Sequence, residues 1–311
     1  MTGSIEKPRL IVVMGPTAVG KTAAAIRLAK QWGGEIISAD SMQVYRHMDI
    51  GTAKPTPDQQ CRVPHHLIDI VNPDESFNAA CFMERARAVI AELHKRGKKI
   101  IVVGGTGLYI RAVLGGLFDG PAADEALRRH YFTILEREGK AGLYGMLKAR
   151  DRRAAAIIHP NDTTRMIRAL EVLDLTGVSI VEQQQEHRFA QRPYRVLKIG
   201  LRCSRSVLYE RIEARTEEML AQGFLDEVRQ LLDMGFHEGL RPMQALGYRQ
   251  MVGFLKGELD LDEAVDQLKR ETRRYAKRQL TWFGADPEIR WFEPGNEEEI
   301  LRYAGRFLRG E

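Results

Sequence analysis

The sequence predicts an α/β protein with a parallel-sheet core and a helical insertion. Three observations lead there. A glycine-rich segment at 15–22 joins an apolar run to an alanine-rich helical stretch. Further short apolar runs recur with helical patterns between several of them, the signature of parallel strands linked by helices. This alternation breaks between about 117 and 192, which is rich in Ala, Leu, Arg and Glu and has no clear strand.

The elements follow in order. The run 10–14 reads as the first strand and about 22–32 as its helix, closed by Gly33 and Gly34. Strand-like runs return at 35–39, 66–71, 100–103 and 196–201, with a last candidate at 288–292. Phe82, Ala86, Val89, Ile90 and Leu93 repeat at helical spacing and stop at Gly97, a buried helix face. The domain reading is therefore a first core part at 1–116, an insertion at 117–192 and a second, mainly helical core part at 193–311.

Composition bounds the function classes. With 311 residues, 44% of them hydrophobic, there is apolar material for a large core and a smaller second domain. A balance of 47 Lys and Arg against 42 Asp and Glu leaves +5, a mild excess that favours anionic partners. Arginines gather at 150–168 and 270–278. Cys61, Cys81 and Cys203 are far apart and lack C-x-x-C spacing, so neither a zinc site nor a disulfide framework follows. Residues 1–9 carry no apolar targeting signal and no run is long enough to span a bilayer, so the chain reads as cytoplasmic with no membrane partner.

Gly15, Pro16, Thr17, Ala18, Val19, Gly20, Lys21 and Thr22 fit G-x-x-x-x-G-K-[ST] between a strand and a helix. Backbone amides and the helix start can surround a diphosphate, Lys21 adds a point charge, and Thr22 can hold magnesium. The motif leaves open whether the phosphate belongs to a nucleotide such as ATP. Asp40 follows the second strand, at the edge where open α/β sheets bind ligands. It serves equally as a helix cap at the head of Ser41, Met42 and Gln43. The strand at 100–103 ends in Gly104-Gly105-Thr106-Gly107, without the acidic metal ligand common in nucleotide hydrolases.

Arg215 interrupts the apolar stripe of Leu208, Ile212 and Met219, where an unpaired charge is costly. It should meet a buried carboxylate or a ligand phosphate. Arg165 and Arg168 adjoin on one helix. In the helix at about 262–283, Val265, Leu268, Tyr275 and Trp282 point one way, while Arg270, Arg273, Arg274 and Lys277 cluster on another. Two basic faces beside a phosphate loop suggest a nucleic-acid track, although solvated faces look alike. The segment Gln244, Ala245, Leu246, Gly247, Tyr248, Arg249 and Gln250 reads as a loop able to stack on an unpaired base, or as a simple glycine turn.

Together these segments resemble the bacterial tRNA dimethylallyltransferase family. The matching pieces are 15–22, 38–45 (Ser-Ala-Asp-Ser-Met-Gln-Val-Tyr), 49–55, 104–109, His159-Pro160-Asn161-Asp162, 165–171, 247–250 and 277–282, over about 8–292 of the chain. Val19 departs from the serine frequent there. The resemblance implies a P-loop NTPase-like parallel sheet core with a helical insertion domain gripping an anticodon stem-loop. Dimethylallyl diphosphate would meet an adenosine flipped out beside the anticodon. It assigns Asp40, Thr17 and Arg215 to catalysis, and the loop residues 15–22 with Arg215 to the diphosphate. It assigns Asp40, Ser41, Met42, Gln43, Thr106, Arg128, Asn161, Asp162, Thr163, Thr164, Arg165 and Gln244, Ala245, Leu246, Gly247, Tyr248 and Arg249 to tRNA. Magnesium near Thr22 and a monomeric state are further expectations. A small-molecule kinase, an isopentenyltransferase of free AMP or ADP, and a non-catalytic RNA-binding protein are the competing readings.

Overall fold

A computed structural model describes residues 6–118, 120–187 and 189–311. Part of the amino-terminal stretch read for targeting, and Asp119 and Arg188 of the insertion, lie outside the described residues. The chain divides into two compact units, Met1–Leu114 with Arg192–Glu311, and Gly115–Gln191.

The first unit holds strands β1 (Arg9–Met14), β2 (Gly34–Ser38), β3 (His65–His66), β4 (Lys99–Gly104), β5 (Arg195–Leu201) and β6 (Arg290–Phe292). They form one sheet in the order β3-β2-β4-β1-β5-β6, every pairing parallel. Helices α1 (Lys21–Trp32), α2 (Pro57–Arg62) and α3 (Ala79–Lys95) link the early strands, and α4 (Gly107–Gly115) follows β4. The second unit contains α5 (Glu125–Arg150), α6 (Arg152–Ile157), α7 (Thr163–Thr176) and α8 (Ile180–His187). Helices α9 (Arg205–Ala221), α10 (Phe224–Asp233), α11 (Tyr248–Leu255), α12 (Leu261–Gly284) and α13 (Glu297–Arg309) complete the first unit.

The two central strands, β1 and β4, are near-continuous apolar runs because both faces are covered. Alternate residues serve opposite cores. Leu10, Val12 and Met14 pack with Phe82, Ala86 and Ile90 of α3 and with Phe224 and Met251. Ile11 and Val13 pack with Leu28 of α1, Leu208 and Ile212 of α9, and Ile300 of α13. In register, Met14 pairs with Gly104 on one side and Gly200 on the other, which aligns the carboxyl ends of three strands. After β1 the chain crosses to one side of the sheet, and after β4 to the other, so a ligand crevice is expected at that end.

Two strand expectations need correction. Only His65–His66 of the third run pairs as a strand, and Val71 makes an isolated bridge to Tyr45. Leu67 and Asp69 between them have φ of 64° and 56°, left-handed values that break an extended run. The last strand is the shorter Arg290–Phe292. All three cysteines are free, and no described helix is long and apolar enough to cross a membrane.

In the second unit, Tyr131, Ile134, Leu143, Leu147, Met166 and Leu170 form a separate core. Glu171 is fully buried there. Its carboxylate accepts Arg128 Nε at 2.8 Å, Arg168 Nη1 at 2.6 Å and the Asp124 amide at 2.8 Å. Together with a second bond from Arg128, these satisfy a charge that would otherwise be costly to bury.

Candidate active site

The loop after β1 turns through Gly15, whose φ of 149° lies where only glycine is at ease. A Cβ there would sit 2.4 Å from the Leu201 carbonyl oxygen. The loop closes on α1 at Gly20, itself left-handed. Val19 is fully buried among the α1 and α9 side chains, so its side chain takes no part in the loop's open face. Lys21 Nζ donates to the Pro16 carbonyl at 2.6 Å. Burial pushes the Lys21 amine down to about 7, against the pull of the Asp40 carboxylate, and the Arg215 guanidinium adds to the depression.

Two cavities meet at this loop. The smaller, about 90 Å³, is lined by Lys21, Thr22, Gln43, Gly104 and Gly105 among others. The larger, about 450 Å³, is lined by apolar Met42, Ile212, Met219, Phe224, Leu246 and Leu268, and by polar residues of α12. Five residues line both: Thr17, Asp40, Thr52, Arg215 and Tyr275. Arg215 Nη1 donates to Thr17 Oγ1 at 3.2 Å. No described carboxylate lies within ion-pair distance of Arg215. Burial lowers its pKa, while the charges of Asp40 and Glu218 raise it.

Asp40 does not start a helix, contrary to the capping reading. Its Oδ1 accepts the Met42 amide at 2.9 Å and the Gln43 amide at 3.4 Å in a turn. Ser41 donates its amide to Thr106 Oγ1 at 3.0 Å, bringing these two together. The Gln43 amide nitrogen is occupied within the protein by the Thr52 and Ala53 carbonyls, and Ser38 donates to its oxygen at 2.8 Å.

At the expected position for an acidic ligand on β4 there is no room for a side chain. A Cβ on Gly104 would stand 2.1 Å from the Ala39 carbonyl oxygen. Instead Gln279 of α12 bridges the strand end and the phosphate loop, donating to Gly105 O at 3.0 Å and accepting the Thr17 amide at 2.8 Å.

The segment 244–250 is only partly a loop. Gly247 caps α11, which already includes Tyr248 and Arg249. Leu246, Gly247, Tyr248 and Arg249 line the larger cavity, whereas Gln244 and Ala245 do not. The Tyr248 ring is buried against Phe224, with centroids 5.1 Å apart, which corrects its reading as a stacking partner for a base. Its hydroxyl donates to Glu227 Oε1 at 2.7 Å. The same carboxylate accepts the amides of Asp49, Ile50 and Gly51 at 2.9, 2.6 and 3.1 Å. Glu227 thus fixes both the 49–51 loop and the start of α11. Arg249 pairs with Glu271 of α12.

Sequence periodicity placed Tyr275 and Trp282 on an apolar face, but Tyr275 lines both cavities and Trp282 is 41% exposed. Burial, then the Asp40 charge, pushes the Tyr275 phenol up to about 12, so it remains protonated at neutral pH. Sequence reasoning missed Tyr275, Gln279 and Glu227; the helical spacing of Tyr275 from Gln279, with Lys277 to Trp282 already singled out, was the available signal.

In the second unit, Asp162 caps α7 by accepting the Arg165 amide at 3.2 Å, with Thr163 and Thr164 in the first turn and Asn161 exposed. Arg165 is largely exposed, but Arg168 and Arg128 are tied to Glu171. Half of the expected basic face of α7 is therefore a buried ion-pair anchor. Arg273 of α12 likewise pairs with Glu213.

Residues 43–286 match the family described as IPP transferase. The chain is 56% identical over 295 residues to a tRNA dimethylallyltransferase of Syntrophobacter fumaroxidans, spanning 94% of this chain and 85% of that one. It is 50% identical to that of Geobacter sulfurreducens over 97% and 98% of the two chains. Among solved structures, a full-length tRNA isopentenylpyrophosphate transferase from Bacillus halodurans aligns with a TM-score of 0.73 at 43% identity, over 98% of each chain. A eukaryotic dimethylallyltransferase acting on tRNA aligns at 0.82 and 27% identity, over 98% of this chain and 80% of that one.

Proposed function

Because this chain belongs to the IPP transferase family, we propose that it transfers a dimethylallyl group from dimethylallyl diphosphate to the exocyclic amine of the adenosine 3′ of the anticodon in tRNA, releasing diphosphate. The observation that carries the reading is the pair of joined cavities. One is small, polar and floored by the phosphate loop, the other large and part apolar, and Asp40, Thr17 and Arg215 stand at their junction.

The chemistry distributes as follows. The amine forms a bond to the allylic carbon as the carbon–oxygen bond to diphosphate breaks, and that electron pair leaves with the diphosphate. Lys21, Arg215 and the amides of residues 15–22 stabilise the charge arriving on the leaving oxygens. An adenine amine is a weak nucleophile that must lose its proton, and Asp40 takes it. The Asp40 turn uses Oδ1, leaving Oδ2 for this purpose. Thr17 holds Arg215 in place.

Magnesium fits the donor set. Thr22 offers a hydroxyl at the smaller cavity, beside the loop that would hold the diphosphate oxygens. A hard cation that takes phosphate oxygens and keeps its waters suits such a site. Bound there, it would neutralise charge on the diphosphate.

For the acceptor we assign Asp40, Ser41, Met42, Gln43, Thr106, Gln244, Ala245, Leu246, Gly247 and Arg249 in the first unit, and Arg128, Asn161, Asp162, Thr163, Thr164 and Arg165 in the second, which grips the anticodon stem-loop. We assign the activity to a cytoplasmic monomer. The test is incubation with labelled dimethylallyl diphosphate and unmodified tRNA, with and without magnesium. Label on the adenosine 3′ of the anticodon, dependent on metal and without ATP consumption, is the expected result; phosphate transfer from ATP would overturn it in favour of a kinase.

A further inference from the structure

One face of α12 runs beyond the larger cavity. Glu271, Arg274, Tyr275 and Arg278 line that cavity at i, i+3, i+4 and i+7. The next residue of the stripe, at i+11, is Trp282, about 6 Å further along the axis than Arg278. It is 41% exposed. Its seat is built for it: a Cβ on Gly107 would lie 2.1 Å from the indole Nε1 and 2.3 Å from Cδ1, so the ring rests directly on the backbone at the start of α4. Leu108 beside it is 43% exposed. The preceding residue, Thr106, is bonded to Ser41, which lines the cavity. Arg274, Lys277 and Arg278 are exposed along the same stretch of helix.

Scattered exposed tryptophans are ordinary. This one differs in being anchored on one side, continuous with the wall of the acceptor cavity and flanked by cations. A rigid aromatic surface beside a positively charged track is how proteins hold single-stranded nucleic acid, one base per ring.

Resting on the tRNA reading above, we propose that Trp282 is a stacking platform for a nucleobase neighbouring the target adenosine in the anticodon loop. Gly107 is its positioning partner, since any side chain there would displace the indole.

The experiment titrates an anticodon stem-loop RNA without prenyl donor into a Trp32→Phe, Trp291→Phe protein, whose remaining tryptophan is Trp282. Fluorescence should quench and saturate. In the otherwise unaltered protein, Trp282→Ala should weaken RNA binding roughly 5- to 150-fold, the range of one base–aromatic stack. Trp282→Phe should recover most of this and Trp282→Leu little, with the donor KM unchanged in each. An abasic nucleotide at the stacked position should erase the difference between Trp282 and Ala. Binding by Trp282→Ala within about twofold of the parent, or Leu serving as well as Phe, would overturn the proposal. The Phe and Leu pair decides the matter if the alanine variant fails to fold. Because binding is read without transfer, absent prenylation with intact quenching would count against the reaction and leave the platform standing.

Discussion

If diphosphate sits on the loop as proposed, the depressed Lys21 amine should make its binding a proton-coupled event. Its pKa falls from 10.5 to about 7 because the folded loop desolvates it. At about pH 8 roughly nine-tenths of these amines are neutral in the unliganded protein. A diphosphate in the loop favours the ammonium, so binding at that pH should draw in about 0.9 proton at this residue, and only about 0.1 at about pH 6. Titration calorimetry in buffers of different ionisation enthalpy counts these protons. Lys21→Arg is the reference, because its guanidinium is always charged while the ligand's own titration is shared. A difference near zero between parent and variant at about pH 8 would refute the depressed pKa. The same shift acts on folding. The unfolded chain keeps this proton up to its ordinary 10.5, so unliganded stability should rise through this group as pH climbs from about 7 to that value. Bound diphosphate should cancel the rise.

Asp40→Asn retains an oxygen for the Met42 amide but cannot accept a proton. Its melting temperature and substrate affinities should stay near normal while the single-turnover rate falls roughly 10²–10⁴-fold; recovery at high magnesium would make Asp40 a metal ligand instead. Arg165→Ala should lower the salt slope of tRNA binding by about one. Arg168→Ala should instead destabilise the second unit by up to about 3 kcal/mol in denaturant unfolding, because Glu171 stays buried with fewer donors. Equal effects of the two on salt slope alone would contradict this division. Glu227→Gln should cost about 1–3 kcal/mol of stability, since an amide cannot accept all the donors around it. It should raise the KM for RNA with no change in diphosphate affinity, and an equal change in both would show a purely structural role.

What the sequence made legible was whatever local chemistry dictates. A phosphate loop needs glycines and a lysine at fixed spacing, and strands buried on both faces need unbroken apolar runs. Arg215 stood out because a charge on an apolar stripe demands a reason. The contribution of α12 was hidden because periodicity identifies a face without saying what covers it: Ala264 is buried in the core, while Tyr275 lines both cavities and Trp282 meets solvent. Glu227 looked like any acidic residue of an amphipathic helix, since the amides it holds are about 176 positions away. Arg168 read as part of an exposed basic face because nothing local reveals that Glu171, one turn on, is buried in a core. The run 66–71 misled by composition, since side chains suited to a strand sit on a backbone that turns at Leu67 and Asp69.

The crowding of Gly104 against Ala39 bears on what this scaffold can become. Phosphate-loop hydrolases commonly use a carboxylate on the strand beside β1 to help hold their metal. Here a carboxylate at the end of β4 would first have to push back a carbonyl of the neighbouring strand, and Ala39 is followed at once by Asp40. Acquiring that ligand by single substitution would therefore shift Asp40, the proposed proton acceptor, before any new metal chemistry appeared. Two strand ends would have to change together, with an intermediate poor at both tasks. Sheet packing sets a barrier between two catalytic trades that share one loop.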